Sequence, residues 1–312
     1  MELIRAIAAG QSGVVTVNQC RAAGVSESRV RTLCRDKRWL RLNEGVYFVD
    51  ADLFGDPPRA AIVRAVLLSA GPHAIAVLGT AAELLGIAGT PSSSIVHVSL
   101  PGSHARPRRT ADSSVRLHQF VLPADQLTVV DGVSVTTPAR TVADLVLRSS
   151  RLVAVAVVDS SLNRRLLVED DLPLVRGLMT GRRGATRATA WLTEADARAE
   201  SPLETRVRLR AADGGLPPDE LQYRVRTAHG RIVAIADLAW LRPDARVIGE
   251  ADGVDAHDNP TALFRDRRRQ NDIIAAGYDP IRFTWEDTLD PGYIPNAIRQ
   301  ALRRARWTSR SP

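Results

Sequence analysis

Glu204, Asp237 and Glu250 are the residues of this 312-residue chain whose types and surroundings could do chemistry. Asp237 interrupts an otherwise apolar run, Ile232 to Trp240, that reads as a strand buried on both faces. A carboxylate there costs several kcal/mol unless it is paired, protonated or bound to a metal. Leu241-Arg242-Pro243-Asp244-Ala245 breaks the run as a turn, and Arg246 to Glu250 returns as a second strand. A turn centred between Pro243 and Asp244 places Asp237 directly opposite Glu250, roughly 5 Å away at Cβ. Asp252 shares that face by the strand's period of two. Carboxylates converging in this way repel one another unless a divalent cation sits between them. Glu204 belongs to the capping-box pattern Ser201-Pro202-Leu203-Glu204. It either caps that helix only or brings a third ligand.

The elements that would hold these residues follow from Ser201 onward as helix, three strands, helix and strand. Leu221 to Thr227 is the first strand, Thr261 to Ala276 an amphipathic helix, and Ile281 to Trp285 the last strand. At the other end of the chain, Glu2 to Ala9 forms a helix stopped by Gly10. Thr16-Val17-Asn18-Gln19 is a capping box that starts a second helix, and Ser26 caps a third through Lys37. On the third helix Val30, Leu33 and Cys34 face inward, while Ser28, Arg29, Arg31, Thr32 and Arg35 face out. Trp39 to Leu42 and Val46 to Val49 make a hairpin around Asn43-Glu44-Gly45. This is the element order of a winged helix-turn-helix, whose third helix enters the DNA major groove. The outward arginines would meet phosphates or guanine edges, and Ser28 and Thr32 could bond to either. The same surface could instead bind protein.

Between these ends, Asp56-Pro57-Pro58 marks a linker before a helix from Arg59 to Ala70. A short helix at Thr80 to Gly86 and strands at Ile95 to Leu100 and Val115 to Phe120 follow, the strands flanking a polar loop from Gly102 to Asp112. Helices open at Thr137, Leu152 and Glu169, and a basic turn from Gly181 leads into a helix reaching Leu192. Arg140 and Asp144 read as a structural pair at i, i+4. His73, His97, His104 and His118 are scattered without metal-ligand spacing, and Cys20 and Cys34 read as reduced core residues.

The formal charge is +7, with 42 Lys and Arg residues against 35 Asp and Glu, and arginine far outnumbers lysine. Arginine excess favours phosphate contact, although genome composition alone can produce it. No apolar segment approaches the ~18 residues of a membrane span, and Met1 to Arg5 shows no leader pattern. A soluble, cytoplasmic protein is expected. The fold class is α+β multidomain: a winged helix over 1–50, a mixed α/β middle region over 51–198 and an α/β domain over 199–312.

Two resemblances sharpen this reading. The stretch from Gly13-Val14-Val15-Thr16 through Arg38 to Tyr47 resembles the N-terminal winged-helix domain of AbiEi-type antitoxins of type IV toxin–antitoxin systems. That resemblance implies promoter DNA and a cognate toxin protein as partners. Residues 201–302 resemble the PD-(D/E)xK restriction-endonuclease-like superfamily, in its branch similar to very-short-patch-repair endonucleases. The marks are Ser201 to Glu204, Ala236 to Trp240, Gly249 to Gly253, Arg265 to Asn271 and Arg282 to Trp285. The resemblance implies that Asp237 and Glu250 hold Mg²⁺ with help from Glu204, for in-line attack of water on a DNA phosphodiester. Arg265, Arg268 and Arg269 would neutralise the phosphate, and His257 could move a proton. Asp252 stands where the superfamily motif has lysine. Either Arg268 substitutes for it, or Asp252 is a further ligand, or the domain binds without cutting and the chain is a non-catalytic antitoxin and autorepressor.

Overall fold

A computed structural model describes residues 1–100, 114–253 and 260–308, the side chains of 260–265 and 307–308 excepted. The chain packs as two units, residues 1–87 with 91–145, and residues 88–90 with 146–312.

The first unit opens with α1 (Glu2–Ala9), β1 (Val14–Thr16), α2 (Val17–Ala22), α3 (Glu27–Arg35), β2 (Leu40–Asn43) and β3 (Val46–Phe48). The three strands form one sheet in the order β1-β3-β2. Local chemistry explains each boundary. Thr16 ends β1 and caps α2: its hydroxyl accepts from Gln19 N at 3.2 Å and Gln19 Oε1 accepts from Thr16 N at 2.8 Å. Ser26 caps α3 by accepting from Arg29 N at 3.2 Å. Gly13 takes φ +81°, and a Cβ there would lie 2.5 Å from the Phe48 ring, so neither the backbone nor the packing admits a side chain. The core beneath α3 is Ile4, Ala8, Val15, Cys20, Val30, Leu33, Trp39 and Val49.

The unit continues with α4 (Ala51–Phe54), α5 (Arg59–Ala70), β4 (Ile75–Ala76), α6 (Leu78–Leu85), β5 (Val96–Ser99), β6 (Val115–His118), β7 (Leu127–Val130), β8 (Val133–Thr136) and α7 (Pro138–Val146). The second sheet has the order β6-β5-β4-β8-β7. Packing continues across residue 50, where the sequence places a domain limit. Ala61 and Ala65 of α5 pack on Val14, Val46 and Phe48, while its Val63, Val66 and Leu67 pack on Val96, Val98 and Val135. A helix apolar on two sides joins both sheets into one body.

The second unit comprises α8 (Arg151–Asn163), α9 (Leu172–Met179), α10 (Ala185–Leu192), α11 (Pro202–Asp213), β9 (Glu220–Arg226), β10 (Ile232–Arg242), β11 (Ala245–Ala251), α12 (Pro260–Ala275), β12 (Asp279–Phe283) and α13 (Tyr293–Thr308). A buried ion on α8 holds the residues on both sides of position 198. Asp159 on α8, 1% exposed, accepts from Asp196 N at 2.8 Å, Thr205 Oγ1 at 2.7 Å and Arg208 Nη2 at 2.7 Å. Three donors, one of them charged, compensate a carboxylate that would otherwise be too costly to bury. The sheet order is β12-β11-β10-β9, with β11 and β12 parallel and the other neighbours antiparallel. The expected succession of helix, three strands, helix and strand is present. Leu238, Trp240 and Val247 pack one face of the sheet against Val207, Ile294 and Ile298, and Ala236 and Ile248 pack with Ile273 and Tyr278. Among the described residues, no helix is long and apolar enough to cross a membrane.

Candidate nucleic-acid interface

α3 is a nine-residue helix, about 13 Å long at 1.5 Å per residue, which matches the ~12 Å width of a B-DNA major groove. Val30 and Leu33 anchor it, and Ser28, Arg29, Arg31 and Arg35 are exposed, with Thr32 half-buried. The side chain of Arg29 has no hydrogen bond or ion pair among the described residues. Arg31 Nε bonds to the Glu27 carbonyl at 3.4 Å, and Arg35 pairs with Asp36 at 3.3 Å. Both contacts are solvent-exposed and weak, so they leave the guanidinium groups available. Ser28 Oγ lies 2.9 Å from the capping hydroxyl of Ser26. The hairpin turn is tight, with Gly45 at φ +67°, and the Gly45 carbonyl accepts from Val17 N at 2.8 Å. The wing is thus short and tied to the start of α2. Arg41 is exposed on its outer strand.

In the second unit the β10–β11 register is the expected one: Leu238 faces Gly249, Ala239 faces Ile248 and Trp240 faces Val247. Asp237 and Glu250 occupy the next position, where the ladder stops. Asp237 Oδ2 accepts from Ala251 N at 2.7 Å, and β11 beyond this point is held by β12, with Glu250 opposite Arg282. Glu250 is 4% exposed. Arg269 Nη2 stands 2.6 Å from Glu250 Oε1 while donating its hydrogen bond to the Ile235 carbonyl at 2.9 Å. Glu250 Oε1 is therefore ion-paired but receives no directed hydrogen bond. Arg282 Nε is 3.5 Å from Glu250 Oε2, and the same guanidinium reaches Asp252 at 3.5 Å and Asp266 at 2.5 Å. Glu204 sits in the first turn of α11. Its Oε2 accepts from Glu200 N at 2.9 Å and Gln222 Nε2 at 3.0 Å, so it closes the helix start and ties it to β9.

The charge of Asp237 is felt at both Glu204 and Glu250. Burial raises each above the ordinary range: Glu204 with a further push from Asp237, and Asp237 with one from Glu200 and Asp252. Glu250 is raised by burial and pulled back by Arg269 and Arg282. Yet among the described residues no three of His, Cys, Asp and Glu gather at metal-holding spacing. Arg269 and Arg282 supply the positive charge at Glu250, and amide donors take one oxygen each of Asp237 and Glu204. As arranged, these residues do not fit a three-carboxylate Mg²⁺ centre. Asp252, the alternative further ligand, lies 3.5 Å from Arg282. Arg268 is exposed, and it is Arg269 that meets Glu250. His257, the Arg265 side chain and the loop from Gly102 to Asp112 lie outside the described residues.

Several pairings join strands or helices distant in the chain, so no local pattern signals them. Arg282 meets Glu250 across a parallel pair, and His97 Nδ1 lies 2.9 Å from His118 Nε2 across another, so these histidines are not scattered. Arg140 and Asp144 do pair, at 2.9 Å. Cys20 and Cys34 are free thiols.

Residues 2–49 match the family described as "Transcriptional regulator, AbiEi antitoxin", and residues 74–194 match "AbiEi antitoxin C-terminal domain". The uncharacterized proteins MT2308 and Rv2248 of Mycobacterium tuberculosis are each 33% identical to the chain over 237 residues, 76% of this chain and 84% of theirs. The chain belongs to their family and carries AbiEi antitoxin domains. These domains hold α3 and its wing in the first match, while β9 to β12 and the carboxylates follow the second. The crystal structure of the RV2827C protein from Mycobacterium tuberculosis is matched at 16% identity and TM-score 0.37, over 62% of this chain and 80% of that one, too loosely to carry an argument.

Proposed function

We propose that this AbiEi-domain protein is a DNA-binding transcriptional regulator of the antitoxin type, with duplex promoter DNA and a cognate toxin protein as its partners. The observation that carries the reading is a capped, well-anchored α3 that presents Arg29, Arg31 and Arg35 to solvent without strong internal partners. Arg31 and Arg35 would position the helix on phosphates, and Arg29, Ser28 and Thr32 would face base edges. The test is binding of the DNA upstream of its own gene by the wild type and by the Arg29→Ala/Arg31→Ala/Arg35→Ala variant, with retention of binding by the variant counting against the reading.

A second reading, Mg²⁺-dependent hydrolysis of DNA by a PD-(D/E)xK-like domain, has one observation in its favour: the buried Glu204 and Glu250 both lie close enough to the half-buried Asp237 to be raised by its charge. The arginines at Glu250 and the aspartate in place of lysine weigh against it. Incubation with plasmid DNA and Mg²⁺, alongside Asp237→Ala and Glu250→Ala, separates the two. Cleavage lost in both variants would favour hydrolysis.

A further inference from the structure

Just past β12, Trp285 is 48% exposed. One face of its indole is covered by Arg206 of α11, whose guanidinium carbon lies 4.3 Å from the ring centroid. Arg206 Nε donates to Thr288 Oγ1 at 3.0 Å, and Arg210, one turn along α11, donates through Nε to the Thr288 carbonyl at 3.0 Å. Thr288 is fully buried, so it is a fixed post that pins both guanidinium groups by one edge. Their Nη edges carry no ion pair among the described residues. The two cations repel, and Arg210 adds to the burial that lowers the Arg206 pKa. The nearby Asp287 is occupied by the Thr284 amide and hydroxyl at 2.7 and 2.9 Å. Two pinned, uncompensated arginines beside an open aromatic face form an arrangement that an anion attached to a flat ring would complete.

We propose that Trp285, Arg206 and Arg210 form a binding site for an unpaired nucleotide of single-stranded nucleic acid, with the base stacked on the free indole face and the phosphate held by the two guanidinium groups. This site is independent of α3 and asks nothing of the carboxylate set. Arg206 fixes the ring from behind and shares its charge with the phosphate. Arg210 supplies the second charge. Stacking tolerates any base, so the site would discriminate paired from unpaired nucleotides more than one sequence from another.

The test uses the full chain carrying Arg29→Ala, Arg31→Ala and Arg35→Ala, which removes the α3 surface from the measurement. Fluorescence anisotropy follows labelled oligothymidylate, oligouridylate and abasic strands of about ten nucleotides at low salt. Trp285→Ala should weaken binding of the base-bearing strands by about ten-fold or more, and Trp285→Phe should stay within about three-fold of the parent. The abasic strand should bind the parent as weakly as oligothymidylate binds Trp285→Ala, and Arg210→Gln should flatten the salt dependence. Tighter binding of either the deoxy or the ribo strand supports the site and identifies the sugar. Parent protein that binds neither strand, or binds base-bearing and abasic strands equally, overturns the proposal. So does unchanged affinity in Trp285→Ala. The parent's base-bearing against abasic comparison stands even if Trp285→Ala fails to fold.

Discussion

Replacing Arg269 by alanine tests whether the chain supplies its own cation to the carboxylate set. Arg269 stands 2.6 Å from Glu250 Oε1; its side chain is 40% exposed and that of Glu250 is 6% exposed. Breaking a fully buried pair costs about 3–5 kcal/mol, but Arg269 is open to water and Arg282 stays 3.5 Å from the other oxygen of Glu250. The expected loss is therefore about 1–2 kcal/mol, or about 2–8 °C in the melting temperature of a unit of this size. Removing the guanidinium also leaves Asp237 and Glu250 short of positive charge, and a divalent ion would then stabilise the variant. At about 10 mM Mg²⁺ and a Kd of about 1 mM the gain is about 1.4 kcal/mol, enough to restore most of the loss. Differential scanning fluorimetry with and without Mg²⁺, on the wild type and Arg269→Ala, reads both effects. A wild type that gains as much as the variant would mean that Arg269 does not occupy the cation's place. An unchanged melting temperature in the variant would mean that Glu250 has no need of it.

Other perturbations have defined outcomes. Alanine at Arg29, Arg31 and Arg35 together should lower the slope of log affinity against log salt for duplex DNA by about 2–3, measured by anisotropy titrations over a salt series. Asp159→Ala leaves Arg208 buried without its partner and should cost about 3–5 kcal/mol in urea denaturation, with the C-terminal sheet and α8 losing stability together. Gly13→Ala should destabilise the first unit by more than about 1 kcal/mol, since it meets both a positive φ and the Phe48 ring. Burial raises the thiol pKa of Cys20 and Cys34, so at neutral pH less thiolate is present, and iodoacetamide should label both slowly until the protein is unfolded.

Features set by neighbours in sequence were legible in it. The turn at Pro243 and Asp244 fixes the β10–β11 register, and the capping residues Thr16, Ser26 and Ser201 fix three helix starts. Asp131-Gly132, both at positive φ, makes the β7–β8 hairpin, a strong turn signal that the sequence reading passed over. β1 is too short for its alternation to show beside the capping box it ends in. The helix α13, whose inward residues Ile294, Ile298 and Ala301 follow helical spacing, was passed over as well. What the sequence could not show is which parallel strands adjoin, because a crossover leaves register free. That is why Arg282 at Glu250 and His118 at His97 could not be read from the sequence. The limits expected at residues 50 and 198 lie close to the ends of the two family matches, 2–49 and 74–194, while the two-sided apolar α5 and the buried Asp159 carry packing across each of them.

On the proposed function, α3 is the element that brings this protein to DNA. The most direct test is transcription from the chain's own upstream region, fused to a reporter, in cells that make either the wild type or the α3 triple-alanine variant at matched levels. Repression by the wild type and its loss in the variant is the predicted result. Equal repression by both, or by neither, would contradict it.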